Sequence, residues 1–251
     1  QILDARKSIP DAIRAQAADA HAALRTGAAP LMAHGAKGIT ALDIAEQQAA
    51  NWREAGKTDC DLLLVSGGWS PVVNLLSHRG VKPVWDADLA CFVPGQTNEP
   101  LSMAGSAAGV WNDNACLLSG QAAAERAVTH LGGAQGSTAT PAPGGWQGAI
   151  TPLYEVSVPG RQLKSFVDPQ HDVTTEDVRL AHREGYVSVE HLKRYTTLGM
   201  AADQGKMGNI IGLALMAEAL GKEIPQVGTT TFRPPYTPVS LGALKGRNVG
   251  N

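Results

Sequence analysis

Cysteine and aromatic residues are scarce in this 251-residue sequence, which has 3 cysteines and 5% aromatic residues. Cys60, Cys91 and Cys116 are odd in number and widely spaced, which argues against a disulfide framework and against a zinc site of the Cys-x-x-Cys type. The 7 histidines include no pair at H-x-x-x-H spacing, so the sequence predicts no metal site. A reducing, cytoplasmic location fits this cysteine usage.

The sequence also lacks an excess of one charge and a long apolar run. Its 21 basic and 23 acidic residues give a formal net charge of -2, so no basic stripe is available for a phosphate backbone, and we predict no nucleic-acid partner. The longest apolar run, residues 210–220, contains Glu218 and is about half of the roughly 20 residues that a membrane span needs. We therefore predict no membrane association. The sequence begins at Gln1, without a Met and without a leader-like segment. This start predicts a chain cut from a longer protein.

What the sequence does contain is typical of a globular α/β protein. Hydrophobic residues make up 43% of it, with 28 Gly and 15 Pro, and the length allows one large or two small domains. Residues 132–150 are rich in Gly, Ala, Pro, Ser and Thr, which indicates a connector. We therefore predict a first domain at 1–131, a linker at 132–150 and a second domain at 151–251.

The first region begins with strand and helix signals. Residues 1–4 predict a short strand, and an Ala-rich run from Pro10 to Leu24 predicts a helix. Asp4 at the strand end is either an acid that hydrogen-bonds an adenosine ribose, as in a Rossmann unit, or a solvated strand end. No G-x-G-x-x-G fingerprint is present to decide between the two.

Two glycine turns follow in the same region. Cys60–Val65 is a compact apolar run that predicts a central strand buried on both faces, and it ends at Ser66-Gly67-Gly68. Residues 81–85 and 90–93 predict a hairpin or two short strands. Residues 101–109 lead into an Ala-rich helix ending near Leu131. The turn at Gly105, Ser106 and Gly109 has two interpretations. Its glycines either allow backbone N–H groups to approach a pyrophosphate or serve the tight packing of a helix on a sheet.

The second region contains three helix signals. Phe166–Asp168 begins it, and Thr174-x-x-Asp177 resembles a capping box that starts a helix ending at Gly185. Ser188 is expected to cap a helix from 189 to about 197, and a third helix is expected from about 206 to 220. The Thr- and Pro-rich tail at 228–238 favours extended structure.

A turn with the sequence DQGKMGN, residues 203–209, is the strongest local signal of a ligand. A lysine at a helix start can bind an anion together with free N–H groups and the helix dipole, and the alternative is a glycine-assisted helix start with a solvated lysine. The spacing of a Walker A loop is missing, and so is a G-x-S-x-G nucleophile motif, so we predict neither ATP hydrolysis nor a catalytic residue. The candidate anion-binding residues are Arg194, Thr196, Thr197, Gln204, Lys206 and Asn209.

Five segments closely resemble the alpha subunits of heterotetrameric sarcosine oxidases. They are FVDPQHDVT at 166–174, HREGY at 182–186, EHLKRYTTLGM at 190–200, DQGK at 203–206 and GTTTFRPPYTP at 228–238, and residues 61–68 and 104–109 are similar to the upstream domain. The resemblance implies an incomplete Rossmann-like, disulfide-reductase-like dinucleotide domain. A small, mainly helical domain similar to bacterioferritin-associated ferredoxin follows. No cysteine occurs after Cys116, so thiolate ligands for an iron-sulfur cluster are lacking, and we predict no cluster.

The resemblance also implies a function. The family oxidatively demethylates sarcosine to glycine, formaldehyde or methylene-tetrahydrofolate, and hydrogen peroxide. FAD lies in the beta subunit, FMN at the alpha–beta interface, and tetrahydrofolate elsewhere in the complex, which also contains gamma and delta subunits. This chain would be the middle of the alpha subunit and inactive alone. It would bind NAD structurally in a truncated site, for which we expect Asp4, Gly67, Gly105, Ser106 and Gly109. It would also form one side of the FMN site, at the six residues of the 194–209 region.

Two other functions remain open from the sequence. The chain could be a non-catalytic nucleotide-binding or assembly module that only docks another subunit. It could also belong to a related amine or proline dehydrogenase, since the substrate contacts would lie in a partner subunit.

Overall fold

A computed structural model describes residues 1–49, 51–134, 136, 150–232 and 236–247. They form two compact units, one from Gln1–Gly67 with Thr151–Ser165 (unit 1) and one from Gly68–Ile150 with Phe166–Asn251 (unit 2). Both helices and strands are present, which confirms the mixed α/β class. In the described ranges, no helix is both long enough and apolar enough to cross a bilayer.

Unit 1 begins with the predicted strand and helix. Strand β1 (Ile2–Asp4) is followed by helix α1 (Asp11–Asp19) and strand β2 (Leu24–Thr26), which pairs with β1 in parallel. The helix is shorter than predicted, because Leu24 pairs with Ile2 in the sheet instead of extending α1.

An antiparallel three-stranded sheet completes the strands of unit 1. It consists of β3 (Ala28–His34), β4 (Ala41–Gln48) and β5 (Asn51–Asp59), with β4 in the centre. The first five residues of β4 are buried, and they include Ile44, which is 1% exposed. This sheet was not predicted from the sequence.

The predicted central strand at Cys60–Val65 is wrong. The segment has no strand structure, and Leu62, Leu64 and Val65 are 66%, 83% and 77% exposed. An extended segment needs a neighbouring strand to satisfy its backbone hydrogen bonds, and no described strand pairs with this one. Its apolar side chains therefore remain in contact with solvent.

Unit 2 contains the predicted hairpin and the long Ala-rich helix. Helix α2 (Asn74–His78) precedes strands β6 (Val84–Asp86) and β7 (Cys91–Val93), which pair antiparallel. A 3₁₀ turn at Gly105–Ala108 leads to helix α3 (Asp113–His130), which ends beside Leu131 as predicted.

The remainder of unit 2 is mainly helical. It begins with a short antiparallel pair, β8 (Phe166–Asp168) and β9 (Val173–Thr174). Three longer helices come next: α4 (Thr175–Arg183), α5 (Val189–Thr196) and α6 (Asn209–Leu220). Two short helices follow them, α7 (Ile224–Val227) and α8 (Leu241–Lys245). The three predicted helices are therefore confirmed. Helix α6 begins three residues later than predicted, because residues 201–208 form turns. The described parts of the tail, 228–232 and 236–238, are not helical, as predicted.

One hydrophobic core holds the helical part of unit 2 together. It is built where β8, β9 and helices α4, α5 and α6 face one another, with one residue from β7. Its buried members are Phe92, Val167, Val173, Val178, Ala181, Val189, Leu192, Leu198, Leu213, Leu215 and Met216.

The compact units do not follow the predicted domain boundaries. Residues 151–165 belong to unit 1, where Arg161 donates to Glu54 at 2.7 Å and lies 3.6 Å from the buried carboxylate of Asp43. Most of the predicted linker, residues 135 and 137–149, lies outside the described residues. The boundaries of the predicted dinucleotide and helical domains stay a prediction.

The capping box at the start of α4 gives a first testable prediction. Thr174 Oγ1 accepts a hydrogen bond from the backbone N–H of Asp177 at 3.3 Å, and Asp177 Oδ2 accepts from the Thr174 N–H at 2.8 Å. We expect Thr174→Ala to lower the free energy of unfolding by about 1–2 kcal/mol, measured by chemical denaturation, because the helix loses its cap. Ser240 caps the short, exposed helix α8, so Ser240→Ala should cost less than about 0.5 kcal/mol. Equal losses in the two variants would contradict a stabilising role for this capping box.

Candidate functional site

The α5–α6 loop, residues 197–208, contains three of the six predicted anion-binding residues, Thr197, Gln204 and Lys206. Its backbone is left-handed at Thr197, Gly199, Gln204 and Gly205, with φ of 64°, 73°, 53° and 77°. These turns fold the loop beside a solvent-open pocket of about 230 Å³. The pocket is lined by Met200, Ala201, Ala202, Gln204 and Pro238.

Lys206 is held by the C-terminal tail. Its Nζ donates a hydrogen bond to the backbone carbonyl of Tyr236 at 3.0 Å and lies 4.3 Å from the centre of the Tyr236 ring. Burial raises the pKa of the Tyr236 phenol, and the negative charge of Asp203 raises it further. The lysine is thus positioned beside the pocket-lining segment around residue 238, through a contact between residues 30 positions apart in the sequence.

Asn209 packs inside the loop. It is 8% exposed, and a Cβ on either Gly199 or Gly205 would overlap its side-chain amide. Its Nδ2 lies 3.4 Å from Oγ1 of the buried Thr230. The amide therefore fills the space between the two glycines and links the loop to the tail.

The three predicted residues at the end of α5 make local hydrogen bonds. Arg194 Nη1 donates to the carbonyl of Glu190 at 2.7 Å, and Thr196 Oγ1 donates to the carbonyl of Leu192 at 2.8 Å. Thr197 Oγ1 donates to the Thr196 carbonyl at 2.6 Å. Thr196 and Thr197 lie directly at the loop, whereas the Arg194 guanidinium is directed along α5 towards Glu190.

Several backbone amides of the loop already donate within the protein. The N–H groups of Gly199, Ala202 and Met207 donate to side chains at 3.3, 3.1 and 3.2 Å. Within the described chain, Asp203 Oδ1 is buried without a hydrogen-bond partner. These three amides are therefore already used within the protein, and Lys206 is the cationic side chain of the loop.

The residues predicted for a nucleotide site are divided between the two units. Asp4 and Gly67 belong to unit 1, and Gly105, Ser106 and Gly109 belong to unit 2. Asp4 Oδ2 accepts from Arg6 Nη2 at 2.7 Å, and Oδ1 accepts from Arg6 Nε at 3.0 Å, which lowers the pKa of Asp4. The Asp4 carboxylate is therefore ionised and paired, and a ribose would have to share it with the arginine.

Backbone groups of the turn at Gly105–Gly109 also form hydrogen bonds within the protein. The Gly105 N–H donates to Ser119 Oγ at 3.1 Å, and Gly109 closes the 3₁₀ turn with φ of 82°. A Cβ at Gly109 would lie 2.9 Å from Val93 Cγ1, whereas nothing lies within 4 Å of the corresponding position at Gly67. Packing against Val93 therefore accounts for one of these glycines.

Three polar residues contact the α5–α6 loop in the structure, but the sequence did not predict a function for them. Asp168, Gln170 and His171 form a turn between β8 and β9 (the DPQH turn, residues 168–171) whose side chains contact loop residues. Asp followed by Pro is typical of a turn, but the loop partners lie about 30 residues away in the sequence and cannot be inferred from local pattern.

The described residues contain no metal-binding cluster, and one of the cysteines is deeply buried. No group of three or more His, Cys, Asp or Glu side chains among them could hold a metal ion. Cys91 is fully buried, and burial, with a contribution from the charge of Asp86, raises its pKa to about 11. Its thiol is therefore protonated at neutral pH.

The family model and the related sequences agree on one group of relatives. Residues 162–247 match the family model of the sarcosine oxidase A3 domain. The chain is 43% identical to sarcosine oxidase subunit alpha of Rhizobium meliloti (strain 1021) over 220 residues, which is 86% of this chain and 22% of that protein. It is 37% identical to sarcosine oxidase subunit alpha of Corynebacterium sp. (strain P-1), with 99% of this chain and 27% of that protein covered. The chain thus spans about a quarter of the length of the relatives that it matches.

A solved structure shares the fold. L-proline dehydrogenase from P. horikoshii superimposes with a TM-score of 0.63 at 16% identity, covering 96% of this chain and 49% of that one. At this identity the likeness establishes a common fold and nothing about substrate.

Proposed function

We propose that this chain acts as part of the alpha subunit of a sarcosine oxidase complex, because it is 43% and 37% identical to two sarcosine oxidase alpha subunits and its residues 162–247 match the model of the sarcosine oxidase A3 domain. The resemblance predicted from the sequence is thereby confirmed, and the relatives are subunits of an oxidoreductase.

The reaction that we propose for the complex is the oxidative demethylation of sarcosine. Its products are glycine, hydrogen peroxide, and formaldehyde or methylene-tetrahydrofolate. Beta, gamma and delta subunits complete the complex, with FAD and tetrahydrofolate bound outside this chain. We assign no catalytic residue to this chain, since its proposed contribution is to bind cofactors.

The contribution that we propose for this chain is one side of an FMN site at the α5–α6 loop. The pocket of about 230 Å³ beside Gln204 carries this proposal. It is smaller than the roughly 300–1,000 Å³ of pockets that enclose a whole small molecule. That size suits a wall contributed to a site that another subunit completes.

We place the phosphate end of a flavin nucleotide next to Lys206 and Thr197, which lie in the same loop but not in the wall of the pocket. FMN, when bound, supplies the electron-transfer chemistry. Lys206 would offset the phosphate charge after exchanging the Tyr236 carbonyl for a phosphate oxygen, and the Thr197 hydroxyl would donate a hydrogen bond. Gln204 would bound the pocket, and Asn209 would keep the loop in shape. Thr196 Oγ1 accepts a hydrogen bond from the Leu198 N–H at 3.2 Å and so supports the loop, whereas Arg194 would have to leave Glu190 to reach a phosphate.

NAD binding in a structural role is the second cofactor contribution that we propose. In unit 1 it would involve Asp4 and Gly67, and the contribution of Gly105, Ser106 and Gly109 in unit 2 stays a prediction from the sequence. The parallel β1–α1–β2 arrangement, with Asp4 at the end of β1, supports it, since an acid at a strand end is where such domains hold a ribose.

Replacing Lys206 tests the FMN proposal. In the complex purified with its flavin-containing partners, we expect Lys206→Ala to weaken FMN binding about tenfold or more, because one charge-assisted hydrogen bond is lost. The FMN content released on denaturation, measured against FAD, reports the effect. Lys222→Ala is the matched control, because Lys222 is an exposed lysine just after α6. Unchanged FMN content in Lys206→Ala would refute the proposed role.

A further variant separates phosphate binding from loss of the tail contact. Tyr236→Ala removes the ring beneath the Lys206 ammonium group but leaves the lysine and the backbone carbonyl in place. If it reduced FMN content as much as Lys206→Ala does, the lysine would act by anchoring the tail and not by binding the phosphate.

An assembly module without a flavin contact is the second candidate function. It is favoured by the engagement of Lys206 with Tyr236 and by the loop amides that already donate within the protein. This function predicts that the subunits associate equally well in Lys206→Ala and that FMN content does not change.

A further inference from the structure

Helix α3 exposes apolar side chains to solvent along most of its length. All 18 of its residues are among those that the structure describes, and none of them is buried. Leu117 is 62% exposed, Val128 is 37% exposed, and Leu131, directly after the helix, is 83% exposed. Single exposed apolar side chains are ordinary on a protein surface, but a contiguous group of them marks an interaction site.

These exposed side chains lie on one face of the helix. The row, which we call the α3 stripe, consists of Leu117, Ala124, Val128 and Leu131. At 3.6 residues per turn, the last three lie within about 40° of the direction of Leu117. Glu125 and Arg126 lie about 80° and 180° from Leu117 by the same geometry. The stripe itself therefore carries no charge.

A different side of α3 packs on the 3₁₀ turn that precedes it. Cys116 Sγ donates to the Val110 carbonyl at 3.0 Å, and Ser119 Oγ accepts from the Gly105 N–H at 3.1 Å. These two side chains lie about 100° and 160° from the direction of Leu117. The stripe is thus outside the contacts that hold the first half of the helix.

The second half of α3 is more exposed than the first. Every residue from 124 to 131 except Glu125 is exposed. The stability of a helix in a protein comes mostly from tertiary packing of its apolar face. A partner that covers the stripe would therefore stabilise this half of the helix.

The size of the stripe argues against a second copy of this chain as its partner. A face about 20 Å long and about 10 Å wide, from 14 helical steps and one helix diameter, covers roughly 200 Å². A stable interface between separate molecules buries about 800 Å² on each partner. A segment of the same polypeptide needs less area, because tethering removes most of the entropic cost of association.

The relatives indicate where such a segment would come from. Sarcosine oxidase subunit alpha of Corynebacterium sp. (strain P-1) matches 99% of this chain, so α3 lies within the match. The match covers 27% of that protein, and about three quarters of its length lies outside. We propose that the α3 stripe binds an apolar segment of the alpha subunit that lies outside this chain. This inference rests on the proposal that the chain acts as part of an alpha subunit, and it does not depend on the FMN site.

Hydrogen exchange at the amides of residues 117–131 tests the proposal. It is measured in this chain alone, in the complete alpha subunit that contains it, and in the assembled complex. We expect exchange to be about tenfold slower or more in the complete alpha subunit than in the chain alone, because docking raises the free energy of local opening. The other subunits should add no further protection.

Helix α4 is the internal control for this measurement. Val178 and Ala181 already pack α4 into the core of unit 2 within this chain. Its amides should therefore exchange at similar rates in the chain and in the complete subunit. Equal slowing of α3 and α4 would indicate a general stabilisation and would overturn the proposal.

Two variants of the complete alpha subunit locate the contact on the stripe. Leu117→Gln places a polar group on it, and we expect exchange at residues 117–131 to return to within about twofold of the rate in the chain alone. Arg126→Gln, on the other side of the helix, is the matched control and should leave the slow exchange in place. The same rates in both variants would contradict docking through the stripe.

The remaining outcomes identify other partners. Protection that appears when the concentration of the chain alone is raised would show a second copy on the stripe, and protection that appears only in the assembled complex would show another subunit. Either result would overturn the proposal, as would fast exchange in all three samples.

Peroxide formation from sarcosine by the assembled complex tests the proposed function separately. Protected α3 amides in a complex that does not oxidise sarcosine would refute the proposed reaction and leave the docking surface standing. Unprotected amides in an active complex would do the reverse.

Discussion

Replacing Leu192 with alanine is expected to lower the free energy of unfolding by about 2–5 kcal/mol, which is the range for removing a large aliphatic side chain from a packed core. Leu192 lies on α5, is 1% exposed and belongs to the core of unit 2. The loss combines the transfer free energy of the removed carbon atoms with the cost of the cavity left behind. Since domains are stabilised by only about 5–15 kcal/mol, this is a large fraction of the total.

Urea denaturation measures the effect, and the slope of the transition should not change. The matched control is Leu244→Ala on α8, where the same atoms are removed from a side chain that is 70% exposed. That variant should differ from the parent by less than about 0.5 kcal/mol. Similar losses in the two variants would mean that α5 does not pack as described.

The same substitution should affect the α5–α6 loop. Helix α5 ends at Thr196, directly before the loop, and Leu198 belongs to the same core as Leu192. A cavity beneath α5 therefore lowers the free energy needed to open the loop locally. Faster hydrogen exchange at residues 197–202 would be the sign of this coupling.

The helices of unit 2 could be predicted because their signals are local. Thr174 and Asp177 form the expected capping box, and Gly221 ends α6 in the left-handed conformation. Side chains three or four positions apart lie on the same face of a helix, so the buried stripe is visible in the sequence as well.

The strands of unit 1 could not be predicted in the same way. The sequence of β5, NWREAGKTD, is polar, and its place in the sheet comes from pairing with β4 instead of from strand propensity. Conversely, residues 60–65 have the composition of a buried strand, yet no described strand pairs with them. In both cases a non-local partner determines the outcome.

The candidate site shows the same limit. A lysine near a helix start is visible in the sequence, but its partner Tyr236 lies 30 positions away. Asn209 has the pattern of a polar helix start, whereas the structure uses its amide to fill the space between two glycines. Asp168 accepts a hydrogen bond from the N–H of Gly199, which lies 31 positions further along the chain.

Replacing Gly208 with alanine is expected to have the second large effect, a loss of about 1–3 kcal/mol in the free energy of unfolding from overpacking. The backbone at Gly208 has φ of -90°, which any residue can adopt, so the glycine is needed for space and not for conformation. A Cβ there would lie 2.5 Å from the Val167 carbonyl oxygen and 3.3 Å from Leu198 Cδ1. Because the nearer atom belongs to the backbone of β8, either the strand or the start of α6 must move.

Gly120→Ala is the matched control for this variant. Gly120 lies in the interior of α3, and nothing lies within 4 Å of the position that a Cβ would take there, so alanine should stabilise that helix by up to about 1 kcal/mol. The two glycine substitutions are thus expected to have opposite signs in the same denaturation assay. A stabilising Gly208→Ala would contradict the close packing of α6 on β8.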